Sequence, residues 1–215
     1  MSLTRDGRPF VAAGFAVLLV AAGLGLLLGG MWWLIAGIWL PVSLWIPVFF
    51  RDPERSGPRG DDIVVAPADG RVVAVVDETE PDFLGGPAQR ISVFMNVLNV
   101  HVNRFPVSGI VERRQYRPGK YLNASLDRAS TDNEQMSLGI MSSHGHVLVR
   151  QIAGLVARRI VCDVDVGKSA RQGERFGLIR FGSRVDTFLP VEAVSQVAVG
   201  DHTKAGITVI AEWMS

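Results

Sequence analysis

Two patterns of apolar and polar positions divide this chain. Residues 10–50 contain no charged side chain, whereas beyond residue 51 the apolar positions fall into short runs broken by charge, Gly and Pro. Residues 10–30 and 31–50 are each about twenty residues long, the length a helix needs to cross the hydrocarbon core of a bilayer. Gly29-Gly30 divides the two stretches, and Pro41 and Pro47 interrupt the second. Trp32, Trp33, Trp39 and Trp45 suit the membrane–water interface, where amphipathic aromatics collect. Arg5 and Arg8 precede the tract, and Arg51, Arg55 and Arg59 follow it. Basic flanks on both sides predict a hairpin with both ends on the cytoplasmic side. A secretory signal has an apolar core of only about 7–15 residues, so this tract is too long for one. A helical hairpin buried in protein is an alternative reading, as is a re-entrant or interfacial second segment. Membrane attachment is the expectation adopted, with residues 1–50 as the attachment hairpin.

Residues 51–62 are rich in charge, Pro and Gly and read as a linker. The β-branched and aromatic runs after it lie at 63–66, 71–77, 90–95, 109–116, 135–140, 146–153, 159–164, 177–181, 184–189 and 207–213. Turn residues separate them. That spacing predicts a mainly β domain over 63–215, an antiparallel sandwich or barrel-like fold. Helix is expected only as short turns near 121–127 and 151–158. No segment repeats at a period of twenty to fifty residues.

Charge and composition narrow the function classes. Lys and Arg number 22 against 21 Asp and Glu, a formal net charge of +1. A general nucleic-acid binder carries a basic excess, so no nucleic-acid partner is expected. Cys162 is the single cysteine, which rules out an intrachain disulfide; in its apolar run it reads as a buried, inert thiol. Gly167-Lys168-Ser169 resembles the end of a phosphate loop, but the motif needs Gly where Cys162 stands. His144 and His146 form an H-x-H pair without the third and fourth ligands a metal site needs, and a solvated loop is the expectation. Arg113, Arg114, Arg117 and Lys120 form a basic run that reads either as a solvated face or as a grip on lipid phosphate.

Gly182-Ser183 lies between two apolar, strand-like runs. In isolation it reads as a bulge or tight turn. Three blocks precede it in order: Phe49-Phe50-Arg51-Asp52-Pro53-Glu54-Arg55, Ala66-Pro67-Ala68-Asp69-Gly70, and Asn99-Val100-His101-Val102-Asn103-Arg104-Phe105-Pro106. Together the four resemble the phosphatidylserine decarboxylases in their short bacterial and archaeal form. The likeness runs from about residue 49 to the end of the chain.

The resemblance implies a self-processing enzyme. Decarboxylating an α-amino acid leaves a carbanion, so some group must accept the electrons; a recruited cofactor is the usual one. In this family the protein makes its own ketone. Ser183 attacks the Gly182 carbonyl, the chain splits into residues 1–182 and 183–215, and residue 183 becomes a covalent pyruvoyl group. The hydroxyl needs a base. His101 is the candidate, because its pKa lies nearest the working pH. Asp69 is the candidate to orient and charge-balance the imidazole. Taken alone, His101 also reads as a core histidine and Asp69 as a turn residue ahead of Gly70. Long members of the family carry two histidines three residues apart in this block. The second belongs to the cleavage relay and the first to decarboxylation. Here His101 matches the first and Arg104 stands at the second. Asn123 and Asp132-Asn133-Glu134 also resemble the short members, with no role assigned by the chemistry.

What the resemblance implies overall is phosphatidylserine converted to phosphatidylethanolamine at the inner membrane, with the catalytic domain on the cytoplasmic side. The partners are membrane lipid and the chain's own two fragments; oligomeric state stays open, a homo-oligomer included. No metal is expected. The rival readings are a membrane-tethered β domain without enzymatic activity, and a family member that no longer cleaves.

Overall fold

The computed structural model describes residues 2–126, 128–155, 159–180 and 182–214. The chain forms two compact units, residues 1–54 and 55–215. In the first unit, β1 (Ser2–Leu3) leads through a short 3-10 turn into α1 (Arg8–Leu28) and α2 (Met31–Phe49), followed by β2 (Arg51–Asp52). β1 and β2 pair antiparallel. Gly29 and Gly30 adopt φ of 67° and 56°, the left-handed region that reverses the chain between the helices. At 21 and 19 residues, the helices extend about 31 and 28 Å. Both are long and apolar enough to cross a membrane and lie mostly exposed.

The helices pack through small residues. Trp39 Nε1 donates to the Gly14 carbonyl at 2.8 Å, and Ser43 Oγ donates to the same oxygen at 3.1 Å. A Cβ on Gly25 would lie only 3.0 Å from the Trp33 ring, so the missing side chain there admits the indole. Pro41 and Pro47 both lie inside α2 without ending it.

The second unit is mainly antiparallel β. Across the whole chain strand outweighs helix, 41% to 23%, and nearly all the helix is the N-terminal pair. Its strands, in chain order, are β3 (Ile63–Val65), β4 (Gly70–Glu80), β5 (Gly86–Met95), β6 (Val102–Arg104), β7 (Gly109–Arg117), β8 (Gln135–Ser142) and β9 (Gly145–Ile152). They continue as β10 (Ile160–Cys162), β11 (Ser169–Ala170), β12 (Arg175–Ile179), β13 (Ser183–Pro190), β14 (Ala193–Ser195), β15 (His202–Thr203) and β16 (Val209–Trp213). An eight-stranded sheet runs β11-β7-β8-β9-β13-β5-β4-β15, curled into a half-barrel. Two three-stranded sheets, β10-β12-β6 and β14-β16-β3, complete the unit.

Period-two alternation places Ile91, Val93, Leu138, Ile140, Val147, Val149, Val185 and Leu189 in one core with Phe105, Phe176 and Ile210. β13 is buried on both faces. Its other face carries Phe188, which packs with Ala88 and Leu148 under Phe83 and Leu84 from the β4–β5 turn. Glu80 holds that turn by accepting from the Phe83 and Leu84 N–H groups at 2.8 and 2.9 Å.

Three local expectations change. The helical turn foreseen at 121–127 forms later, as α3 (Ala129–Asp132), because Asn123 Oδ1 accepts from the Ser125 N–H and turns 123–126 instead. Residues 151–152 end β9 and 153–155 are not helical; 156–158, the remainder of the other foreseen turn, and Phe181 lie outside the described residues. Residues 51–62 do not act as one linker. Arg51 and Asp52 pair within the first unit, whereas Arg55, Arg59 and Gly60 bond to Asp69, Gly206 and Gln172 in the second.

Candidate active site

Ser183 opens β13, the central buried strand, and register pairs it with Met95 on β5. Its side chain points to the core face, since Val185 and Leu189 lie on that face at even spacing. Ser183 is fully buried and its Oγ has no hydrogen-bond partner among the described residues. Such a hydroxyl is rare in a folded interior, because leaving it unsatisfied costs about 1–3 kcal/mol. Gly182, immediately before it, adopts φ of 53°. Only glycine takes this conformation cheaply, so the residue carrying the carbonyl next to Ser183 is restricted in kind.

The Gly182 carbonyl is closely enclosed. A Cβ on Gly154 would lie 2.0 Å from the Gly182 oxygen and 3.3 Å from Ala124 Cβ. Gly154 follows β9 directly, and the neighbouring Ala153 carbonyl accepts from Asn133 Nδ2 at 2.7 Å. Asn133 also exchanges bonds with the Leu122 backbone, 2.9 Å each way. Asn133 therefore fixes the 122–133 segment against the end of β9, beside the Gly182 carbonyl.

His101 precedes β6 and is 2% exposed. Its Nδ1 lies 3.0 Å from the Asn99 carbonyl, and a carbonyl can only accept. Nδ1 therefore carries the proton in the neutral ring, which leaves the Nε2 lone pair as the basic site. The Ile179 N–H donates to the His101 carbonyl at 3.3 Å, three residues before Gly182. Asn103, two residues on, lies on the same face of the strand as His101. Asn103 Oδ1 accepts from Gln151 Nε2 at 2.8 Å, and Asn103 Nδ2 lies 3.6 Å from the sulfur of Met95, the cross-strand partner of Ser183. Asn103 and Gln151 are both fully buried. Asn103 and Gln151 thus lie beside Met95, the strand partner of Ser183, while His101 is tied to the strand that leads to Ser183 through its backbone carbonyl and Ile179. His101 makes no hydrogen bond to Ser183 Oγ.

Asp69 is held from two sides. Its Oδ2 accepts from Arg55 Nη2 at 2.7 Å, and its Oδ1 accepts from the Ala205 N–H at 2.7 Å. Arg55 comes from the first of the four sequence blocks and Asp69 from the second, so the fold joins blocks that the sequence separates. Gly70 packs so tightly that a Cβ would fall 2.1 Å from the Phe94 carbonyl oxygen, one residue from Met95. Arg104, at the place of the second histidine, donates from Nη1 to the Gly173 carbonyl at 3.1 Å.

On the outer face of the sheet, Arg184 and Asp186 are both fully buried. Arg184 Nε donates to Asp186 Oδ1 at 2.6 Å and Nη2 to Oδ2 at 3.0 Å. Arg184 also donates to the Leu126 carbonyl at 3.3 Å and to Ser130. Ser130 in turn donates to Asp186 at 2.9 Å. Arg150 on the same face stacks over Phe188 and bonds Ser137; burial lowers its pKa from the ordinary arginine value. This network ties the segment around α3 to the residue after Ser183.

The remaining sequence candidates lie elsewhere. His144 stacks on Trp213 and lies 3.7 Å from Asp62, whereas His146 lies against Phe83 and 3.5 Å from Glu112. Arg113 donates to the Asp82 carbonyl and to Gln115. Cys162 is half-buried against the core. Sequence reasoning passed over Gly154, Gln151 and the Arg184–Asp186 pair. For Asn103 the signal was available, since it alternates with His101 in a strand-like run.

The family model described as phosphatidylserine decarboxylase matches residues 43–211, most of the chain. The chain belongs to the phosphatidylserine decarboxylase family, a family of carboxy-lyases.

Proposed function

We propose that this family member decarboxylates phosphatidylserine to phosphatidylethanolamine through a pyruvoyl group that it makes from Ser183. The observation that carries the proposal is the fully buried Ser183 Oγ without a hydrogen-bond partner, adjoining a Gly182 carbonyl that Gly154 alone leaves room for. A hydroxyl so placed has no structural bond to lose when it reacts.

In the proposed sequence, His101 Nε2 takes the Ser183 hydroxyl proton and Oγ adds to the Gly182 carbonyl carbon. The peptide C–N bond then breaks, its nitrogen takes the proton, and an ester remains. Loss of the Ser183 Cα proton breaks the Cβ–O bond and releases Gly182 as a free carboxylate. The dehydroalanine left at 183 adds water and loses ammonia, which yields the pyruvoyl group. That group supplies an electrophilic carbonyl conjugated to an amide, a sink for the electrons that decarboxylation leaves behind. The chain's residues do the rest. Asn99 holds the His101 tautomer, and Asp69 offsets imidazolium charge while it shares its own charge with Arg55. Asn103 and Gln151 line the buried end beside Met95 and limit water there.

The apolar helix pair supports placing the reaction at a membrane, where a diacyl substrate resides. We place the second unit on the cytoplasmic side, as the basic flanks indicate. Intact mass spectrometry tests the proposal. The expected result is two chains, residues 1–182 and 183–215, with the smaller lacking a free amino terminus and resistant to Edman sequencing. Ser183→Ala is expected to give one inactive chain. A single uncut polypeptide in an active preparation would refute the mechanism.

A further inference from the structure

Apart from the Ser183 end, the second unit contains a polar cavity of about 550 Å³ lined by Arg55, Arg59, Arg104, Arg171 and Gln172, with Glu174 at its side. Two of these cations, Arg104 and Arg59, meet at Gly173. Arg104 Nη1 donates to its carbonyl at 3.1 Å. Arg59 lies so close that a Cβ on Gly173 would fall 2.1 Å from its Nη2, and the φ of 80° at Gly173 independently disfavours a side chain. Arg59 Nη2 also reaches the Arg55 carbonyl at 3.5 Å.

Carboxylates share the wall with these arginines. Four arginines line the cavity against two carboxylates, Asp61 and Glu174. Arg171 lies 3.6 Å from Glu174, and Arg55 engages Asp69. The hydrogen bonds of Arg59 among the described residues go to the Pro58, Gly206 and Arg55 carbonyls, which satisfy its N–H groups without offsetting its charge. Arg55 has a side-chain exposure of 10%, yet its Nε is buried with no hydrogen-bond partner among the described residues. A buried N–H of a cation left unsatisfied is destabilising unless something else binds there.

We propose that this cavity is a binding site for a tetrahedral oxyanion, a phosphate or phosphate ester, held by Arg55, Arg59 and Arg171 with Arg104 beside them. Guanidinium forks pair with phosphate oxygens through parallel, charge-assisted hydrogen bonds. Forks arriving from different loops suit an anion whose oxygens project in three dimensions better than a planar carboxylate. The same chemistry is presented by a phospholipid headgroup and by free phosphate. The site shares Arg55 with Asp69, but anion binding there does not require Ser183 to have reacted.

Isothermal titration of the full-length protein in neutral detergent at low ionic strength tests this. Inorganic phosphate is expected to bind saturably at one site, with sulfate competing and chloride not. Arg59→Gln and Arg171→Gln, made separately, are each expected to weaken binding at least about tenfold. The Arg171 side chain is 75% exposed, so its replacement leaves the fold intact even if Arg59→Gln does not. A monomeric short-chain phosphatidylglycerol added as competitor separates the sources: displacement of phosphate identifies a headgroup site, and no displacement identifies a free-anion site. The same titration on Ser183→Ala is expected to match wild type, which keeps the result independent of self-cleavage. Absence of saturable phosphate binding, or wild-type affinity in Arg171→Gln, would overturn the proposal.

Discussion

At the scale of single residues, the proposed chemistry depends on how closely atoms can approach the Gly182 carbonyl. Gly154 is the sharpest test, because a methyl there would lie 2.0 Å from the Gly182 oxygen, against backbone that has no rotamer to move. Gly154→Ala is expected to fold and to slow self-cleavage at least about a hundredfold, since a displacement near 1 Å in a reacting group has that order of effect. A time course of chain splitting on a denaturing gel measures it, and wild-type kinetics would remove Gly154 from the argument. His101→Ala tests the base. Arg104 cannot replace it, because a guanidinium stays protonated at any working pH. One uncut chain is expected on the gel. Two chains with little turnover would confine His101 to the later step.

At the scale of elements, β13 ties the reacting residue to its surroundings. Arg184 follows Ser183 directly and bonds the Leu126 carbonyl and Ser130, so the strand and the α3 segment hold each other. Asp186→Asn would leave Arg184 buried without its carboxylate, a loss of about 3–5 kcal/mol for a fully buried pair. The expected fall in melting temperature is on the order of 10 °C. The double replacement Arg184→Met, Asp186→Leu is expected to recover much of that loss, because it removes both charges. A double variant no more stable than Asp186→Asn would show that the pair does more than neutralise itself. This network also marks where sequence reasoning stops. Strand identity and the apolar helix pair follow from local residue type and spacing, whereas the Gly182, Ser183, His101 and Asp69 candidates rest on the resemblance of four ordered blocks to a family. Gln151–Asn103, Gly154–Gly182 and the bonds from Arg184 to Leu126 and Ser130 join segments far apart in sequence, and which residues meet depends on strand register. A one-residue shift in pairing would turn every one of them to the opposite face.

At the scale of the molecule, the division into units places a functional boundary inside a single sequence block. Phe49 to Glu54 belong to the helix-pair unit, but Arg55 belongs to the β unit, where it holds Asp69 at 2.7 Å. Residues 55–62 then add bonds from Arg59 to the Gly206 carbonyl and from the Gly60 N–H to Gln172. Two truncations therefore separate anchoring from assembly. Removal of residues 1–54 is expected to leave a β unit that still splits at Gly182–Ser183 and turns over a short-chain soluble phosphatidylserine, while losing most activity on vesicles. Removal of residues 1–62 also takes Arg55 and leaves Asp69, with a side-chain exposure of only 12%, without its cation. A buried carboxylate stripped of its partner destabilises its surroundings, so this form is expected to melt lower and cleave more slowly than the first. Equal cleavage by the two truncated forms would show that Arg55 does not support Asp69. Equal loss of the soluble and vesicle substrates in the first would show that the helix pair shapes the site as well as attaching it to lipid.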